Sequence, residues 1–263
     1  MKTQKLIVTF VSLFMLITSC SKNDDQILTT QKPTYLLSKI NYSATSNNTF
    51  SYDENNRLIE NILTNGNSVY KTTFKYNTKG KISETLAKTI SGTNQSIKKI
   101  AYMYDAQDRL IEKKLFQESV VFPNLFIYDS SDTFTYNANK IEHKYTKANA
   151  SLATSRAIVE LDSNGNFLNI TRYKNISASN PFGNEDWNIT MEYDTKNSPF
   201  SSIPDEYFFL EKTKNNQTKV TRTISATISA PAVITTAYEY NADGYPTKST
   251  SVNNVITFEY IIK

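Results

Sequence analysis

The chain has 263 residues, 39% hydrophobic and 21% charged, with 29 basic against 25 acidic residues, one Cys and one His. That length suits one sizeable all-β domain or at most two smaller ones. One Cys excludes a disulfide framework, one Cys with one His excludes a Cys/His zinc site, and a net charge of +4 scattered along the chain excludes the clustered basic face of a nucleic-acid binder.

The chain opens as an export signal. Lys2 and Lys5 precede a nearly unbroken apolar run over residues 6–17, shorter than the roughly 20 residues a bilayer span requires. Leu16-Ile17-Thr18-Ser19-Cys20 follows and resembles the bacterial lipoprotein lipobox, where small residues precede a cysteine that is acylated and becomes residue one after cleavage. The resemblance implies a lipoprotein signal peptide over 1–19 and a lipid attachment point at Cys20, through which outer-membrane lipid becomes a partner. Its diacylglyceryl group and added fatty acid meet the need for more than one chain in a stable anchor. The alternative is an ordinary secretory signal with an incidental cysteine.

Ser21-Lys22-Asn23-Asp24-Asp25 is similar to the short Lys/Asp-rich tag that sends Bacteroidota lipoproteins to the outer face of the outer membrane, and Ser after the cysteine argues against inner-membrane retention. A solvated acidic tether accounts for the same residues, and leaves the periplasmic face as the alternative address. Residues 20–34 show no apolar periodicity and carry Pro33, so they read as the lipidated cysteine and a flexible tether.

Residues 35–263 form a single repeat domain. Its phrase is aromatic-x-Tyr-Asp/Asn, seen around Tyr52, Tyr76, Tyr104, Tyr136 and Tyr240, with weaker copies at Tyr193 and Leu161 and a closing copy at Tyr260. Aromatics two apart share one face of a strand. The following Asp or Asn suits the first position of a type I turn, and the position three later is Asn56, Gly80, Asp108, Gly165 or Gly244, types that tolerate positive φ. Together these spell a three-residue hairpin loop with a bulge. In that register Asp53 faces Arg57, Asn77 faces Lys81, Asp105 faces Arg109, and Tyr52 faces Leu58. Residues 64–67, 91–94 and 253–254 read as the intervening links.

Alternation sets Tyr70, Thr72, Phe74 and Tyr76 against Val69, Lys71, Thr73 and Lys75, one aromatic face and one wet face. Counting hairpins predicts an all-β antiparallel meander of about fourteen strands, curled into a roll or barrel-like sheet. Two stretches depart from the phrase. Residues 194–210, with Asn197-Ser198-Pro199-Phe200, read as a loop or helical turn packed across one end of the roll, and residues 182–187 read as a second long loop. A membrane-spanning barrel shares the alternating pattern, but charges on many strands and the ending Ile261-Ile262-Lys263 weigh against it.

The phrase resembles the Tyr-Asp repeats of Rhs-type proteins. The layout of lipobox, Tyr-Asp hairpins and Asn-Ser-Pro-Phe looks like a group of uncharacterised Bacteroidota lipoproteins with a porin-like β-meander. That resemblance implies an architecture and no activity.

Candidate chemistry is sparse. His143 shares a strand face with Ile141 and Tyr145, as a core or groove histidine would. No phosphate loop, nucleophile elbow or dinucleotide fingerprint is present, and no cofactor or metal is implied. The stretch from Asp129 to Asp132 and the one from Asp162 to Gly165 read as oxygen-rich hairpin turns without the spaced ligands of a calcium loop. Glu60, Glu84 and Glu112 recur at one phrase position, which suits architecture better than a carboxylate pair with one set separation. Trp187, Phe182, Phe200 and Tyr207 are the candidate ligand-binding aromatics, able to stack on a glycan or protein ligand or to plug the roll's end. The function expected is a non-catalytic, envelope-associated binding module, the rival a glycan- or peptide-processing hydrolase.

Overall fold

The computed structural model describes residues 33–207, 213–225, 230–252 and 254–263. The signal sequence, Cys20 and most of the tether lie outside the described residues. Sixteen strands follow in chain order: β1 (Tyr35–Ser43), β2 (Ser46–Tyr52), β3 (Leu58–Asn65), β4 (Ser68–Tyr76), β5 (Ile82–Ser91), β6 (Asn94–Tyr104), β7 (Leu110–Glu118), β8 (Phe126–Asn137), β9 (Lys140–Lys147), β10 (Ser155–Leu161), β11 (Phe167–Lys174), β12 (Asn184–Tyr193), β13 (Gln217–Ile224), β14 (Ala232–Tyr240), β15 (Pro246–Ser251) and β16 (Asn254–Ile262). Each pairs antiparallel with its chain neighbour, and β1 pairs with β16 to close a barrel.

The expected fourteen strands are sixteen. Seven phrase turns account for β2 to β15, and the two uncounted strands are the pair that closes the sheet. Thr34 and Lys263 exchange backbone hydrogen bonds of 3.0 Å each way, and Tyr35 lies opposite Ile262. Closure removes the edge strands that an open sheet of this size would expose.

The phrase turns form as spelled. The Asp53 amide donates to the Arg57 carbonyl at 2.9 Å, Asn56 sits at φ 60°, and the Asp53 carboxylate accepts from the amides of Asn55 and Arg57. Gly80, Asp108, Gly165 and Gly244 take the same left-handed position in their own turns. The backbone N–H and guanidinium of Arg57 hold the Asp53 carboxyl below its usual range, and Arg109 does the same for Asp105. Tyr52 lies opposite Leu58 with a bulge between that pair and the next. The Asn137 copy departs: its link is two residues, with Ala138 at φ 51°.

The aromatic face turns inward. Phe50, Phe74, Tyr102 and Phe134 are buried with Leu37, Ile40, Leu58, Ile82 and Val159, and the polar face forms the outer wall. Leu58 is fully buried and Ile59, the extra residue of its bulge, stands 41% exposed outside, so these two successive apolar residues face opposite sides of the wall. Two expected irregular stretches are strand. Residues 129–132 lie within β8, because Ser119 and Asn124 supply the turn earlier: the Ser119 hydroxyl accepts from the amides of Val121 and Phe122, and Asn124 takes φ 66°. Trp187 lies within β12, opposite Arg172, so the second long loop ends at Gly183.

Candidate binding site in the barrel lumen

All phrase turns lie at one end of the barrel and all the intervening links at the other, since successive strands run in opposite directions. Bulges at the phrase end leave carbonyls needing donors inside an apolar core, and tyrosines supply them. Tyr52 donates to the Leu37 carbonyl at 2.8 Å, Tyr76 to Leu58 at 2.6 Å, Tyr104 to Ile82 at 2.7 Å, Tyr136 to Leu110 at 2.8 Å, Tyr193 to Phe167 at 2.8 Å and Tyr260 to Pro246 at 2.8 Å. In each case the tyrosine lies at or near the end of an even-numbered strand and the carbonyl at or near the start of the strand before it. Burial pushes the hydroxyls of Tyr52, Tyr76, Tyr136 and Tyr193 up to about 12, and that of Tyr104 higher still, so all donate at neutral pH. Tyr240 departs and bonds the Asp194 carboxylate, where the segment after β12 leaves the wall.

That segment plugs the phrase end. Ser198 caps a 3₁₀ turn, Pro199–Ser202, by accepting from the Phe200 amide. Ser202 Oγ then accepts from the Leu37 amide at 3.0 Å and lies 3.1 Å from the Tyr52 hydroxyl, and Ile203 is 1% exposed. Glu206 pairs with Lys81 at 3.1 Å. Tyr207 donates to Asn61 Oδ1 at 3.0 Å and stands edge-on to Phe74 with ring centroids 4.7 Å apart. Phe200 lines a cavity of 220 Å³ between plug and wall, with Tyr42, Tyr238, Phe258 and Asn216. Asn216 Oδ1 is buried there with no hydrogen-bond partner among the described residues.

The opposite half of the lumen holds a larger cavity of 440 Å³, lined by Asp132, His143, Tyr145, Ser155, Arg172, Trp187 and neighbours on β10 to β12. His143 bonds Asp132 at 2.6 Å and stacks on Phe134 with centroids 5.1 Å apart. Trp187 stands between two arginines: Arg172 lies directly opposite on β11, and the Arg222 guanidinium from β13 sits 5.6 Å from the indole centroid. Lys98, on the face of Ile100 and Tyr102, and Lys147, on the face of His143 and Tyr145, add positive charge at the mouth. None of Lys98, Lys147, Arg172 and Arg222 has a carboxylate partner among the described residues.

The outer wall is different. Lys75 meets Glu84 at 2.7 Å, Lys71 meets Glu60 at 2.5 Å, Lys219 meets Glu192 at 2.7 Å and Lys248 meets Glu239 at 2.7 Å. Glu60 and Glu84 are therefore wall partners of lysines, and Glu112 lies 3.5 Å from Lys114 on the same strand. Such a belt of charge stands where a lipid-facing barrel carries an apolar band, and each Lys or Arg at a bilayer midplane would cost about 2–4 kcal/mol.

The four candidate aromatics do not converge. Phe200 and Tyr207 belong to the plug, Phe182 lies on the link before β12 at 69% exposure with the Arg156 guanidinium 5.7 Å from its ring, and Trp187 alone lines the larger cavity. Sequence reasoning did not single out Arg172 or Arg222; the available signal was their parity, shared with inward Ile170 and Val220.

No protein-family model and no curated protein matches the chain. Among solved structures, it is similar to a porin-like protein from Bacteroides vulgatus at 9% identity over 86% of this chain and 98% of that one, with a TM-score of 0.43. A porin-like protein from Bacteroides uniformis is 11% identical over 86% of this chain and 96% of its own, with a TM-score of 0.35. A DUF3836 family protein from Bacteroides vulgatus is 19% identical over 32% of this chain and 83% of its own, with a TM-score of 0.27. The closed sixteen-strand barrel itself rests on this chain's own hydrogen-bond register.

Proposed function

We propose that this chain is a lipid-anchored envelope protein whose barrel is a plugged cup that holds a ligand, not a channel that conducts one. The observation that carries the reading is the plug: Ser202, Ile203 and Tyr207 occupy the phrase end of the lumen and bond to the wall, while the other half keeps the 440 Å³ cavity. A cavity of that size falls within the usual range for small-molecule sites. The outer ion pairs support a wall that faces water, and on this reading an acylated Cys20 is what holds the protein to the membrane. The Lys/Asp-rich residues after it favour the outer face of the outer membrane.

Binding without turnover fits the cavity's chemistry. Asp132 is the one carboxylate among its described lining residues and is bonded to His143, so the two-carboxylate arrangement of a glycosidase is not assembled there. Cys20→Ser is expected to move the protein from the membrane pellet to the soluble fraction, and the wild-type protein to produce no conductance steps in planar bilayers. Persistent pelleting of the variant would remove the anchor, and stepwise conductance would remove the plug. A glycan and peptide array tests the module itself: retention of a ligand unchanged supports it, and turnover replaces it with the hydrolase reading.

A further inference from the structure

The charges of this barrel are sorted by face. On the outer wall, lysines find glutamates on neighbouring strands at 2.5–2.7 Å. In the open half of the lumen, Arg172 lines the cavity, Arg222 sits on the ring of Trp187, and Lys98 and Lys147 share the inward faces of β6 and β9; none of the four has a carboxylate partner among the described residues, whereas Asp132 is engaged by His143 and Arg156, the other arginine of the lining, by Glu142. The guanidinium of an arginine carries a fixed positive charge. Arg172, which lines the cavity, and Arg222, on the Trp187 ring beside it, are both open to solvent, so an anion entering the lumen meets two positive charges, and the planar fork of an arginine matches a carboxylate.

Trp187 narrows the choice. It is the only Trp in the chain, lines the cavity, and stands between the two arginines. An indole face offers a flat apolar plate to a ring, while a bare inorganic anion would leave it unused. Tyr145 and Ser155, on the same lining, offer hydroxyls that donate and accept, which an aromatic acid without hydroxyl groups would leave unused.

We infer that the open half of the lumen binds a carboxylate-bearing sugar, such as a uronic acid residue of an acidic glycan, with Arg172 and Arg222 on the carboxylate and Trp187 against the ring. The inference rests on the reading of the barrel as a binding cup and names the ligand class. No bond is made or broken in it.

The test uses the full-length lipoprotein in detergent and the fluorescence of its single Trp. Galacturonate and glucuronate oligosaccharides are titrated beside their methyl esters, the corresponding neutral sugars and inorganic phosphate. The acids are expected to change Trp187 emission saturably, with the esters weaker by about tenfold or more, as loss of a charged hydrogen bond requires. Arg172→Gln is expected to weaken the acids by a similar factor with an unchanged circular dichroism spectrum, and phosphate to leave bound acid in place.

Equal binding of acids and esters would overturn the charge assignment while leaving a sugar-binding cup intact. Displacement by phosphate at equal concentration would reduce the site to a simple anion site. Absence of binding by every acid, with other ligands retained on the array, would overturn the inference and spare the binding module. Absence of any ligand on the array would remove both.

Discussion

The two ends of the barrel are built on different rules. At the phrase end, tyrosine hydroxyls bond bulge-side carbonyls, Asp and Asn side chains organise the turns, and the plug seals the core with Ile203 at 1% exposure. At the other end the links vary from two residues to nine, Val120, Phe122 and Val252 stand 62–100% exposed, and Arg172 and Arg222 have no carboxylate partner among the described residues. The comparison teaches where the repeat spends its information: it specifies the end that holds the sheet together and leaves the opposite end free to vary. The larger cavity sits at the end the repeat does not dictate, where loops and rims carried on a rigid scaffold are free to diversify.

The largest expected effect acts on the phrase end as a whole. Folding raises the pKa of Tyr52, Tyr76, Tyr136 and Tyr193 from an ordinary value near 10 to about 12, chiefly through burial. A raised pKa means the folded state keeps protons that the unfolded chain gives up. The stability is fully present below pH 10, falls as the unfolded tyrosines ionise, and is lost as pH passes through about 12. Tyrosinate absorbance and the β-sheet circular dichroism signal should therefore change together in one steep alkaline transition. Titration of these tyrosines near pH 10 with the sheet intact would break the account of the phrase end.

Single substitutions sharpen the contrast. Leu58, fully buried beneath the plug's end of the lumen, should cost about 2–5 kcal/mol as Leu58→Ala in chemical denaturation, the range for a core leucine whose site does not collapse. Tyr104→Phe keeps the ring and removes the donor to the Ile82 carbonyl, so it should cost about 1–3 kcal/mol. Tyr70, on the same inward face of β4 but 40% exposed toward the open end, should lose less than about 0.5 kcal/mol as Tyr70→Phe. Equal losses for the two tyrosines would erase the difference between the ends.

What the sequence revealed follows the same division. The phrase turns were legible because Asp53, Asn56 and Arg57 form a local code in which every partner lies within four residues. The tyrosine bonds were not, although their signal was present: Tyr76, Tyr104 and Tyr136 each reach the aliphatic residue of the preceding phrase, 18 to 26 positions back. Those intervals vary with link length, so no fixed spacing marks them. The strand count came out two short because seven phrase turns delimit fourteen strands, and only the pairing of β1 with β16 shows that one more strand stands at each end of that series. Trp187 read as a loop residue because Gly183 stands just before it, yet its register opposite Arg172 makes it part of the wall. A lone arginine in a strand does not announce which wall face it takes, and only closure of the barrel sets Arg172 and Arg222 on either side of the indole.

The smallest expected effect lies at the open rim, and its smallness is the point. Phe122 is 62% exposed, so replacing it removes little buried surface. The conformation of its link is held by polar contacts instead: Ser119 Oγ accepts from the Phe122 amide at 3.1 Å, Glu118 accepts from the Asn124 amide at 2.8 Å, and Asn124 turns the chain at φ 66°. None of these uses the phenyl ring, so Phe122→Ser should leave stability within about 0.5 kcal/mol of wild type by denaturant titration. Ser119→Ala, which removes the acceptor of two amides, should cost more than Phe122→Ser despite being the smaller change in hydrophobic surface. The reverse order would mean that the rim is held by apolar packing after all, and that the two ends of the barrel obey one rule.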